Sequence, residues 1–169
     1  PRTVMEKNLR DCRNYAATFS TKSENLLFSG NTGLGKTFLS GCIARTVADR
    51  GFSVAYETAS RLFTKMERAR FERDEQCRLE TEGALAADLL ILDDLGTEMT
   101  GQFTSVALYG LINDRLLAGK PTIISTNLTT EEIARRYTPQ IASRLRGSYK
   151  RVPFVGEDIR ILKNGGTAL

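Results

Sequence analysis

Leu26-Leu27-Phe28-Ser29-Gly30-Asn31-Thr32-Gly33-Leu34-Gly35-Lys36-Thr37 is the stretch that decides the fold. An apolar run short enough for a buried strand passes into a glycine-rich bend and then into a segment of helical periodicity. Gly30, four residues, and then Gly35-Lys36-Thr37 fill the P-loop pattern, in which successive backbone N–H groups wrap a nucleotide phosphate. Glycine supplies backbone conformations closed to other residues and removes a Cβ that would collide with the phosphate. Lys36 brings a positive charge to the β- and γ-phosphates. The Thr37 hydroxyl is a natural Mg²⁺ ligand at the positive end of the following helix. Asn31, Thr32, Gly33, Leu34, Gly35, Lys36, Thr37 and Phe38 are therefore the expected nucleotide-binding residues.

The chain has 169 residues, enough for one well-buried domain and too few for two. Apolar residues make up 41% and charged residues 26%, an ordinary globular composition. No run approaches the roughly eighteen apolar residues that a membrane span needs, and no signal-peptide core precedes the first helix, so a cytoplasmic location is expected. A start at Pro1 rather than Met suggests a fragment. Cys12, Cys42 and Cys77 are widely spaced and the chain has no histidine. That pattern argues against a disulfide framework, a zinc site, and Ser-His or Cys-His catalysis. Cys42 falls on the expected apolar face of its helix, as a small core thiol. The net charge of +4 is unevenly spread: Arg135 to Arg151 holds six basic residues and no acidic one, suited to an anionic partner.

Residues 1–19 read as an amphipathic helix with apolar points at Val4, Leu9, Cys12 and Tyr15. After the P-loop, Leu39, Cys42, Ile43, Thr46 and Val47 recur at helical spacing up to a C-cap glycine, Gly51. Phe52–Tyr56 is a strand candidate. Thr58 to about Arg78 reads as one charged helix. Its basic residues, Arg61, Lys65, Arg68 and others, fit either a solvated face with i,i+4 ion pairs or a surface for single-stranded nucleic acid with Phe63 or Phe71 for stacking.

Ala86–Leu95 is an apolar strand ending in Asp93-Asp94, the Walker B arrangement. Asp93 is expected to hold Mg²⁺, and Asp94, on the other side of the strand, to polarise the attacking water. Gln102–Leu117 is a helix, and Thr122–Thr126 a strand whose tip, Asn127, sits where an amide can orient water or touch the γ-phosphate. Thr129-Thr130-Glu131-Glu132 is a capping box opening a short helix, and Pro139 opens another carrying Ser143-Arg144-Leu145-Arg146. Arg151–Val155 and Asp158–Leu162 read as an edge strand or hairpin, followed by a frayed tail.

Taken in order, Gly30–Thr37, Leu89-Leu90-Ile91-Leu92-Asp93-Asp94-Leu95-Gly96-Thr97-Glu98, Ser125-Thr126-Asn127 and Ser143-Arg144-Leu145-Arg146-Gly147 resemble the AAA+ ATPases, most closely the DnaC/DnaI-type helicase loaders and the related IstB transposition helpers. The resemblance implies a three-layer α/β P-loop NTPase core over residues 1–169. It has a mainly parallel five-stranded sheet and little or no helical lid. It also implies ATP with Mg²⁺, and hydrolysis that is weak and stimulated by assembly or DNA. Asn127 matches sensor 1, Arg144 the arginine finger that reaches a neighbouring subunit's nucleotide, and Arg160 a sensor 2 candidate. The acid beside the Mg²⁺ ligand is often glutamate in this family; Asp94 is shorter, which makes Glu98 a substitute to consider. In initiators and loaders an extra helical element between the second and third strands lies along single-stranded DNA. By position this assigns DNA contacts to Arg61, Lys65, Arg68 and Phe71. The implied partners are a replicative helicase, single-stranded DNA and further copies of the chain, with no membrane. The loaders' separate helicase-gripping N-terminal region is not recognisable in this stretch. The alternatives are a transposition helper acting on double-stranded DNA, a small-molecule phosphotransferase on the same scaffold, and a nucleotide-binding adaptor that scarcely hydrolyses.

Overall fold

Alternation within the apolar strands builds the layers, because successive side chains of a strand point to opposite faces. The computed structural model describes residues 2–157. Its elements are α1 (Arg2–Ala17), β1 (Leu26–Ser29), α2 (Lys36–Asp49), β2 (Val54–Thr58), α3 (Ala59–Phe71), α4 (Glu75–Ala86), β3 (Leu89–Leu95), α5 (Gln102–Leu117), β4 (Thr122–Thr126), α6 (Thr130–Arg136), α7 (Pro139–Ser148) and β5 (Lys150–Pro153). The strands pair in the order β2-β3-β4-β1-β5, and every pairing is parallel. Leu26, Phe28, Leu89, Ile91 and Ile123 pack on one side with residues of α1 and α2. Leu27, Leu90, Leu92 and Ile124 pack on the other with α3 to α7. A parallel sheet covered on both faces by helices is the three-layer α/β architecture. The order places β4 between β1 and β3, so the tip of β4 stands between the P-loop and Asp93-Asp94.

Several expectations shift. The charged run after β2 is two helices, because Arg73 adopts a left-handed φ of 54° and Asp74 then caps α4 by accepting from the Cys77 N–H at 3.0 Å. The cap lies inside an unbroken charged run, which hides it from periodicity. The second strand starts at Val54 rather than Phe52: Ser53 and Asp88 exchange hydrogen bonds of 2.9 Å across the entrance to β2 and β3, and Phe52 instead meets Phe19 edge-on. Cys42 is exposed, contrary to expectation, because the buried stripe of α2 is Leu39, Ser40, Ile43 and Val47. In α1 the buried residues are Asn8, Cys12 and Ala16, while Leu9 faces solvent. Asn8 is inward because its Nδ2 donates to the Pro153 carbonyl at 2.6 Å, on the side of β5 away from β1. The expected Asp158–Leu162 strand and Arg160 lie outside the described residues. Among the described residues no helix is long and apolar enough to cross a membrane.

Arg115 is the unexpected core residue, 2% exposed on α5. Its guanidinium donates to the carbonyls of Leu85 (2.7 Å), Ala87 (2.9 Å) and Pro121 (2.7 Å) and to the Thr122 hydroxyl (2.7 Å). The end of α4 and the start of β4 are thereby tied to α5 through backbone groups that would otherwise be buried unpaired. Burial pushes the guanidinium down to about 10, which still leaves it charged at neutral pH. Arg115→Met keeps the apolar stem and strands these acceptors; urea unfolding should register a loss of about 3 kcal/mol.

Candidate nucleotide site

Three loop glycines have positive φ: Gly30 at 140°, Gly33 at 80° and Gly35 at 90°. Gly30 has a second reason to be glycine, because a Cβ there would lie 2.2 Å from the Phe154 carbonyl oxygen, just beyond β5. Leu34 is buried among the α1–α2 side of the core and pins the bend to it. Gly35 stands at the N-cap of α2 without a side-chain cap, so the first-turn N–H groups have no side-chain acceptor and suit an anion. Lys36 is buried and its Nζ donates to the carbonyls of Gly30 (2.5 Å) and Asn31 (2.6 Å). Burial lowers its ammonium from the ordinary lysine value, while the charges of Asp94 and Asp93 act in the opposite direction.

Asp93 is 2% exposed and its carboxylate collects three hydroxyls. Thr37 Oγ1 donates to Oδ2 at 2.9 Å, the Tyr56 hydroxyl to the same oxygen at 2.7 Å, and Ser125 Oγ to Oδ1. Tyr56 stays protonated because partial desolvation of its hydroxyl and the hydrogen bond to Asp93 both raise its phenol above the ordinary value. The β3–β4 register shifts between Leu92 and Leu95, which places Asp93 and Asp94 in a bulge. Two β4 hydroxyls repair the interrupted ladder. Ser125 Oγ accepts the Asp94 N–H at 3.0 Å while donating to Asp93, and Thr126 Oγ1 donates to the Leu95 carbonyl at 2.6 Å. Asp94 is half-buried with φ 54°, a left-handed conformation that aspartate tolerates better than most residues.

Glu98 is buried and its carboxylate supports the loop after β3. Oε1 accepts from the Tyr137 hydroxyl, Oε2 accepts from the Gly96 N–H at 2.9 Å, and the Glu98 carbonyl accepts from Arg136. Asn127 bridges to the P-loop, its Nδ2 donating to Thr32 Oγ1 at 2.9 Å. Phe38 is 72% exposed beside Thr37. Arg144 is exposed on α7 and faces Tyr109 of α5, whose phenol is lowered from its ordinary value by hydrogen bonds with Asn113 and then Arg144.

The residues expected on nucleic acid separate into two pairs. Lys65 bridges Glu57 (2.6 Å) and Glu80 (2.8 Å), and Arg68 pairs with Glu72 (3.2 Å) and Asp74 (2.7 Å). Both hold the α3–α4 hairpin together. Arg61 is exposed, and so is Phe71, whose ring meets Phe103 edge-on at 5.6 Å.

The structure thus gathers the P-loop, Thr37, Asp93, Asp94 and Asn127 at the carboxyl ends of three adjacent strands, the place where open parallel sheets bind ligands. Sequence reasoning missed Tyr56. The motif logic looked at strand tips, and this residue lies in mid-strand. The site suits Mg²⁺: Thr37 Oγ1 and the Asp93 carboxylate are hard oxygen donors in contact, and among the described residues no group of three or more His, Cys, Asp or Glu forms a protein cage. Mg²⁺ is commonly held by so few protein oxygens, with phosphates and waters completing the shell.

Such a fold and loop define a P-loop protein with the AAA+ core. Residues 3–144 match the family described as IstB-like ATP binding protein, and the chain belongs to it. It is 26% identical over 141 residues to the replicative helicase loader DnaC of Escherichia coli K12, covering 82% of this chain and 56% of that protein. It is 30% identical over 142 residues to an insertion-sequence ATP-binding protein, y4pL of Sinorhizobium fredii NGR234, covering 81% of this chain and 57% of that one. The chain therefore spans little more than half the length of these two curated relatives. A crystal structure of a DnaC helicase loader superposes with a TM-score of 0.79 at 21% identity, covering 90% of each chain.

Because one hydroxyl serves both aspartates, Ser125→Ala leaves Asp93 Oδ1 and the Asp94 N–H without this partner. Thermal or urea unfolding should show a loss of about 2 kcal/mol.

Proposed function

We propose that the chain is the ATPase part of a helicase loader, using ATP to control its grip on single-stranded DNA and on a replicative helicase in the cytoplasm. The observation that carries this reading is the contact set that ties Thr37 of the P-loop to Asp93 and Thr32 to Asn127. The inserted α3–α4 hairpin and the likeness to DnaC give it direction.

In this reading Asn31 to Phe38 surround the triphosphate, and Lys36 turns its ammonium from the loop carbonyls to the phosphates. Thr37 and Asp93 hold Mg²⁺, which when bound offsets negative charge on the phosphate oxygens. Asp94 polarises the attacking water, since the carboxylate of Glu98 already carries two structural hydrogen bonds. Asn127 senses the γ-phosphate by exchanging its Thr32 contact. Arg144 is the finger for a neighbouring copy, so turnover depends on assembly. Arg160 remains the sensor 2 assignment. Arg61 and Phe71 meet DNA, one by charge and one by stacking, whereas Lys65 and Arg68 keep the hairpin in shape.

The insertion-sequence relative favours a second reading, in which the same ATPase serves a transposase on double-stranded DNA. Fluorescence anisotropy with single- and double-stranded oligonucleotides separates them: tighter binding of single strands in ATP is the expected result, and a clear preference for duplex reverses the assignment.

ATP turnover measured against protein concentration, with and without single-stranded DNA, tests the mechanism. The rate per subunit should rise with concentration. Lys36→Ala should cut turnover by about 100-fold. Arg144→Ala should cut the assembled rate by about 1000-fold while leaving nucleotide affinity nearly unchanged. Full turnover in either variant removes that residue from the mechanism.

A further inference from the structure

Tyr56 lies on β2, the strand beside β3, with its Cα in register with Ile91, two residues before Asp93. Residues two apart on a strand share a face, so Ile91 and Asp93 point to the same side of the sheet. Val54 packs with the cluster on that side, and Tyr56 follows it by two. The distance along β3 from the level of Ile91 to that of Asp93 is about 6.6 Å. A phenol spans that gap, and its hydroxyl arrives 2.7 Å from Asp93 Oδ2. Serine or threonine at position 56 would stop well short.

The oxygen it reaches is also the acceptor for Thr37 Oγ1. With its hydrogen donated to Asp93, the Thr37 hydroxyl meets a cation through its oxygen. Ser125 occupies the other carboxylate oxygen. With donors from β2, β4 and α2, the carboxylate cannot rotate about its Cβ–Cγ bond without breaking a contact. The geometry assigns Tyr56 as a positioning residue for the metal: it holds Asp93 so that the Thr37–Asp93 pair is formed before Mg²⁺ arrives. This assignment rests on the nucleotide-site reading and adds to it a residue outside the P-loop, Walker B and sensor motifs. Outer-shell hydrogen bonds to metal-binding carboxylates commonly set metal affinity by about 10- to 100-fold.

Tyr56→Phe removes one hydroxyl and keeps the ring. The test measures Mn²⁺ binding to the protein–ADP complex by the loss of the free-ion electron paramagnetic resonance signal. In parallel, fluorescent ADP is titrated in EDTA, and unfolding is followed to check the fold. The expected result is Mn²⁺ affinity weaker by about tenfold, with metal-free ADP affinity within twofold of wild type. Three results overturn the assignment: unchanged Mn²⁺ affinity, tighter Mn²⁺ binding, or an equal loss of metal-free ADP binding, which would mark a general structural role. If the wild-type protein itself binds neither ADP nor Mn²⁺ with ADP, the nucleotide-site reading falls first and takes this assignment with it. Tyr56→Trp is a second variant, bulkier, whose indole N–H lies in the five-membered ring, off the long axis on which the phenol oxygen sits. It should reproduce the metal defect if Tyr56→Phe folds poorly, and wild-type Mn²⁺ affinity in it would equally refute the assignment.

Discussion

A carboxylate withdrawn from water must be given hydrogen bonds, and Asp93 obtains them from three hydroxyls on three different elements. Each donor fixes something larger than itself. Thr37 joins the start of α2 to the end of β3, Tyr56 joins the β2 edge to the same point, and Ser125 brings β4 across a break in the backbone ladder. The ammonium of Lys36 sits within the field of both aspartates. The most polar point of the site is thus also where four secondary-structure elements are stitched together.

The bulge that creates this point has a structural cost and a structural answer. An extra residue in β3 frees backbone groups that the regular ladder would have paired, and the hydroxyls of Ser125 and Thr126 take them up. Ser125-Thr126-Asn127 is therefore one unit with two tasks. Its first two residues mend the sheet, and its third reaches the P-loop.

The apolar strands, the capping box at Thr129 and the P-loop were legible in the sequence because each rests on local pattern: short apolar runs, a reciprocal cap, glycines at fixed spacing. α5 was legible because a helical run ends at the break Ala118-Gly119-Lys120-Pro121. What was hidden depends on partners distant in sequence. Leu9 reads as an apolar point of α1, yet it faces solvent, and Asn8 turns inward to the Pro153 carbonyl, 145 residues away. Cys42 satisfies the helical spacing, yet the stripe of α2 runs through Ser40 instead. Lys65 looked like an available cation until Glu57 and Glu80 were seen on either side of it. The site followed the same division. Contiguous motifs could be read directly, while Tyr56 entered through strand pairing that no single segment encodes.

The far border of the sheet carries a separate consequence. Along β5 and just past its end, the Lys150 N–H donates to the Asn25 carbonyl and the Phe154 N–H to the Ser29 carbonyl, so Pro153, at the alternate position, faces away from β1. Proline offers no N–H there, and Asn8 already occupies its carbonyl. Among the described residues, a strand approaching at Pro153 meets no N–H and a carbonyl already engaged by Asn8, which disfavours pairing at that point. That stretch of the border is thereby guarded against edge-to-edge pairing, and encounters there fall to side chains rather than to exposed main chain.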